Sequence, residues 1–118
     1  MPKKWVVMGE LASKANSSQF IRPGLIIKSQ KARTFEELFP LQIKPKPEDC
    51  IMEGEVVLDA AIFYKTQRPD LDESLLMDCI QKVGLIKNDR QIREKHIYHA
   101  IDKLNPRCEF IISLRINR

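Results

Sequence analysis

Two short stretches of this chain carry carboxylates at spacings that suit a hard cation. The first is Arg68-Pro69-Asp70-Leu71-Asp72-Glu73, and the second is Lys87-Asn88-Asp89-Arg90-Gln91-Ile92. In an extended segment, side chains two positions apart project to the same side, so Asp70 and Asp72 present their carboxylates together. Like charges held that close are tolerated where a cation neutralises them or one accepts a proton. Mg²⁺ prefers carboxylate oxygen and keeps several waters, commonly taking one or two protein carboxylates plus substrate phosphate. Asp72 also has a structural role open to it. A helix beginning near Glu73 exposes unpaired backbone N–H groups, where negative charge is favoured. Asp89 joins the pair if a helix of about eleven residues, roughly 16 Å long, is followed by a return along an adjacent strand.

The elements that must position these groups are legible in part. Trp5 to Met8 and Leu25 to Ile27 are short apolar runs that read as two strands joined by a polar loop. Thr34 and Glu37 stand at a capping-box spacing, which predicts a short helix over about 35–39 ending at Pro40. Pro45 and Pro47 then require an extended connection. From Glu55 to Tyr64 the chain alternates, with Val56, Leu58, Ala60, Ile62 and Tyr64 on one face of a strand. Leu75, Leu76, Cys79, Ile80 and Val83 fall at helical spacing, so a helix is expected over about 73–83, with Gly84 at its C-terminal cap. The segment from Ile92 to Ile101 fits a strand or a helix, whereas Cys108 to Ile116 alternates as a final strand.

At 118 residues the chain has the size of one domain, which is expected to span 1–118. No run of about eighteen apolar residues occurs, and Met-Pro-Lys-Lys-Trp lacks the apolar stretch of a signal peptide, so a cytoplasmic protein is expected. Cys50, Cys79 and Cys108 form no zinc-ligand spacing and read as free thiols. His96 and His99, three apart, face opposite ways if the segment is a strand and would share a metal only if it is a helix. The net charge of +4 is uneven. Residues 1–33 hold seven Lys and Arg against Glu10 alone, leaving +6 on that segment and −2 on the remainder. Such a distribution suits a chain that holds a polyanion with one part and metal ions with another.

Arg68-Pro-Asp-Leu-Asp, an amphipathic helix, Gly84 and then Asn88-Asp-Arg-Gln-Ile92 together resemble the central signature of the RusA-like Holliday-junction resolvases. Ser13-Lys-Ala-Asn-Ser17 and Lys28-Ser-Gln-Lys31 are similar to the polar and basic segments near the start of that family. The resemblance implies an α+β fold, a mixed sheet packed with one or two helices. It also implies a homodimer that cuts four-way DNA junctions with Mg²⁺ or Mn²⁺ and no organic cofactor. Asp70, Asp72 and Asp89 would then be the catalytic metal ligands. Lys14, Asn16, Ser18, Lys28, Lys31, Arg33 and Arg68 would contact phosphates.

Three positions depart from the family pattern. Glu73 replaces an Asn, Asn88 replaces an Asp, and the helix is about two residues shorter. The lysine that the family carries one turn into this helix is also absent, because Ser74, Leu75 and Leu76 occupy that turn. Lys82 and Lys87 are the candidates to replace it. Glu73 would add a carboxylate or, as favoured here, stabilise the helix start. These departures keep a second class in view: a dimeric branched-DNA-binding protein that cleaves weakly or not at all. A hydrolase of small phosphate esters is a third, disfavoured by the basic N-terminal third.

Overall fold

The alternation from Val56 to Tyr64 forms the strand β4 (Val56–Tyr64), which lies inside a four-stranded sheet. The structure is a computed structural model that describes residues 3–12, 18–22, 25–67 and 72–116, with the backbone alone for 18–22 and 25–28. The sheet runs in the order β1 (Trp5–Met8), β6 (Arg107–Leu114), β4, β5 (Ile92–Ile101). β6 lies antiparallel to both β1 and β4, whereas β4 and β5 are parallel. A parallel pair cannot be closed by a tight hairpin and needs a crossover. Here that crossover contains α2 (Ser74–Lys82), so both carboxylate-bearing stretches belong to one β-α-β unit. The protein is an α+β domain with a mixed sheet and two helices.

Strand periodicity separates the two faces of the sheet. Val56, Leu58, Ala60, Ile62 and Tyr64 are buried, while the intervening residues of β4 are half-buried on the other face. The buried set shares one core with Trp5, Val7, Phe110 and the helices, at about 1.5–3 kcal/mol for each large apolar side chain removed from water. The helix α1 (Gln30–Gln42) contributes Ala32, Phe35 and Phe39, and the Phe39 ring stacks on Phe110 at 6.1 Å between centroids. α2 contributes Leu75, Leu76, Cys79 and Ile80.

α1 is longer than the 35–39 helix expected from sequence. It starts after Ser29, whose Oγ accepts from the Ala32 N–H at 3.2 Å, and the Thr34–Glu37 spacing falls inside it. It also continues past Pro40, with the Ile43 N–H closing onto the Phe39 carbonyl at 2.8 Å. Packing of the Phe35, Phe39 and Ile43 series in the core outweighs the donor lost at proline. The strand at Leu25–Lys28 (β3) exists but does not neighbour β1. It pairs with β2 (Ser18–Arg22) in a separate two-stranded sheet, so part of the segment expected as polar loop is strand. The 92–101 ambiguity resolves as strand. β6 buries Cys108, Phe110 and Ile112, while Leu114 and Ile116 stay exposed.

Cys79 and Cys108 are buried and Cys50 is half-buried, all as free thiols, and burial pushes the Cys108 thiol up. Among the described residues no helix is long and apolar enough to cross a membrane.

Candidate functional site

α2 begins under the control of Asp72. Its Oδ1 accepts the Ser74 backbone N–H at 2.9 Å and the Ser74 hydroxyl at 2.6 Å, satisfying a donor that the first turn leaves open. Glu73 occupies the cap position by backbone conformation, yet its side chain makes no capping bond. That carboxylate instead meets the Lys95 ammonium, with Nζ to Oε1 at 2.7 Å. Lys95 stands on β5 opposite Leu58, on the helix-covered side of the sheet.

The far end of α2 holds the second stretch. Gly84, at φ +89°, turns the chain, and its N–H bonds the Gln81 carbonyl at 3.0 Å. The Asp89 N–H donates to Gln81 Oε1 at 2.9 Å. Residues 89–91 form a single 3-10 turn capped by Asn88, whose Oδ1 accepts the Arg90 N–H at 2.8 Å. Asn88 thus fills with an amide the capping role that an Asp would fill there. Gln91 ties the turn to the chain ahead of β4. Its Oε1 accepts the N–H groups of Lys87 and Asn88, while its Nε2 donates to the carbonyls of Ile51 and Gly54. The Gln of the second motif is therefore a structural clamp, and sequence spacing gave no sign of its partners.

Asp70 and Arg68 lie outside the described residues, as do Lys14 and Asn16. Asp72 and Asp89 are both half-buried. Their anchors, Ser74 and Gln81, are seven residues apart on α2, about 10 Å along the helix axis. Among the described residues no group of three or more His, Cys, Asp or Glu side chains stands close enough together to hold a metal ion. As a donor set, hard carboxylate oxygens suit Mg²⁺ or Mn²⁺, and an adjacent pair plus phosphate meets the usual protein contribution to a Mg²⁺ site. Asp72 and Asp89 carry such oxygens, at the first turn of α2 and at the turn that follows its far end.

The sequence-predicted cations are dispersed. Lys82 pairs with Glu36 of α1 at 3.3 Å, and Lys87 is exposed beside the Asn88 cap. Lys31 pairs with Glu10, and the Arg33 guanidinium donates to Gln30 Oε1 at 3.1 Å. Ser18 and Lys28 are register partners on β2 and β3. Lys31 lines a cleft of about 410 Å³ with Thr34, Lys65 and Glu10 on its polar side and Phe35 and Leu38 on its apolar side. His96 bonds Glu94 at 2.7 Å, whereas His99 stacks on Tyr64 across the sheet, so the two imidazoles do stand on opposite faces.

Lys95 has no local sequence signal, because its position beside Glu73 depends on the β4–β5 register. No protein-family model matches the chain, and no curated protein matches its sequence.

Proposed function

We propose that this protein is a divalent-metal-dependent endodeoxyribonuclease that cuts branched DNA, in the manner of the RusA-like resolvases its central motifs resemble. The observation that carries the proposal is the placement of both motifs in one β-α-β unit. Asp72 stands at the entry of α2, and Asp89 at the turn into β5. When bound, a Mg²⁺ or Mn²⁺ ion supplies charge neutralisation at the scissile phosphate and lowers the pKa of an attacking water. Asp70 and Asp72 would hold it, with Asp89 as the third carboxylate of the site. Ser74 fixes the Asp72 carboxylate in one orientation. Lys14, Asn16, Ser18, Lys28, Lys31, Arg33 and Arg68 hold phosphates, positioning the DNA without reading its sequence. Paired cuts across a near-symmetric junction call for two sites related by a two-fold axis, so the working form is a cytoplasmic homodimer.

A second reading is favoured by the absence of lysine from the first turn of α2, where Ser74, Leu75 and Leu76 stand. On that reading the dimer binds branched DNA and cleaves it weakly or not at all. The deciding experiment is cleavage of an end-labelled mobile four-way junction with Mg²⁺ or Mn²⁺ by the wild type and Asp72→Asn. Paired symmetric nicks that vanish in the variant, with binding retained, support the nuclease. Binding without nicks in either protein supports the second reading.

A further inference from the structure

We propose that Lys95, delivered from β5, supplies the ammonium that contacts the scissile phosphate and stabilises the charge developing on it. The inference rests on the nuclease reading and names a residue for the cation that the first turn of α2 does not provide. Phosphodiester hydrolysis builds negative charge on phosphate oxygens, and a positioned cation in a partly dehydrated site is among the largest contributors to lowering such a barrier. Lys82 is turned toward α1 by Glu36, and Lys87 projects from the loop beyond the other end of α2. Among the described residues, Lys95 is the cation that an ion pair holds to Glu73, the residue next to Asp72 in the chain. Its Nζ lies 2.7 Å from Glu73 Oε1, and Glu73 sits between Asp72 and the Ser74 that Asp72 binds.

The pair has the properties of a prepared but exchangeable contact. The Glu73 side chain is 19% exposed and that of Lys95 is 41% exposed, so the carboxylate is held in the fold while the ammonium reaches solvent. One of three ammonium donors engages Glu73, and the others remain for a phosphate oxygen. A pair this exposed is weak, so an arriving phosphate displaces it readily. Glu73 orients the lysine that comes from the neighbouring strand. Glu73 is a positioning residue, and Lys95 touches the substrate.

The test uses the full-length protein and a four-way junction, comparing wild type with Lys95→Ala, Lys95→Arg, Glu73→Gln, Asp72→Asn and Lys82→Ala. Circular dichroism and thermal melting first verify that each variant is folded, and Lys95→Met, which keeps most of the stem, replaces the Ala variant if that one fails. Junction affinity is measured against salt in EDTA, so that the readout needs neither metal nor cleavage. Loss of one phosphate contact lowers the salt slope by about 0.9, and this is expected for Lys95→Ala but not for Lys95→Arg, Glu73→Gln or Lys82→Ala. Single-turnover cleavage with Mg²⁺ is expected to fall about 100-fold in Lys95→Ala, with partial recovery in Lys95→Arg and less than a tenfold loss in Glu73→Gln. An unchanged slope and rate in Lys95→Ala, with cleavage lost in Asp72→Asn, overturns the role of Lys95 and leaves the nuclease reading standing. Equal losses in Lys95→Ala and Glu73→Gln reduce the pair to a structural tie and also overturn it. Absence of cleavage in the wild type overturns the nuclease reading and the catalytic part of this one, while the slope still decides whether Lys95 meets phosphate.

Discussion

Replacing Asp72 by Asn and by Ala separates two roles that the same carboxylate can play. As a helix cap, Asp72 accepts from the Ser74 N–H at 2.9 Å and from its hydroxyl at 2.6 Å. Asn retains an acceptor oxygen of the same reach and ranks with Asp as a capping residue, so Asp72→Asn forfeits only the charge–dipole contribution, about 0.5 kcal/mol. Ala loses that contribution and the cap, about 1 kcal/mol more. For a domain of this size the melting temperature falls by about 4 °C per kcal/mol, giving about 2 °C for Asn and about 6 °C for Ala. As a metal ligand, by contrast, Asn is a poor substitute for a carboxylate, and both variants are expected to lose junction cleavage in Mg²⁺. Thermal melting by circular dichroism and end-labelled junction cleavage read the two roles independently. Equal destabilisation by Asn and Ala would refute the capping argument. Retained cleavage in Asp72→Asn would refute the metal role.

Four further outcomes follow from the geometry. Gln91→Ala removes four hydrogen bonds, two within the turn before β5 and two that tie it to Ile51 and Gly54, so urea denaturation should show a loss of about 2 kcal/mol. Gly84→Ala meets no atom within 4 Å but must adopt φ +89°, so its cost, about 1–2 kcal/mol in the same assay, is conformational alone. Native Cys79 and Cys108 should resist a thiol reagent such as DTNB until denaturant is added, with Cys50 reacting first, because burial hides the former two and raises the Cys108 thiol. Acid should weaken the fold through Glu109, Asp102 and Glu94, which are held below the usual carboxylate range by Lys4 and Arg107, by Arg107, and by His96 and Arg115 respectively. Each folded pKa lies below its unfolded value, so the stabilisation is full above about pH 4–5 and disappears as pH falls through the folded values. A melting temperature that is flat from pH 5 down to pH 2 would contradict this.

What the sequence determined by itself is whatever depends on local periodicity. The nine-residue alternation of β4, the 74–82 helix with Gly84 after it, and the final strand from Arg107 are readable because a buried stripe repeats at period 2 or near 3.6. The opposition of His96 and His99 follows from the same rule once 92–101 is a strand. Tertiary structure decided whatever depends on partners distant in the chain. α1 runs through Pro40 because its far turn packs into the core, and β3 pairs with β2 rather than β1. Lys95 meets Glu73 only because β5 lies parallel to β4 in a register that sets Lys95 opposite Leu58. Asp89 reaches Gln81 only because Gly84 reverses the chain. Motif spacing thus named carboxylates that suit a metal. That Lys95 meets Glu73, and that the turn at Asp89 is tied to Gln81 of α2, came from the packing of a helix across two parallel strands, a long-range arrangement that no local window of sequence encodes.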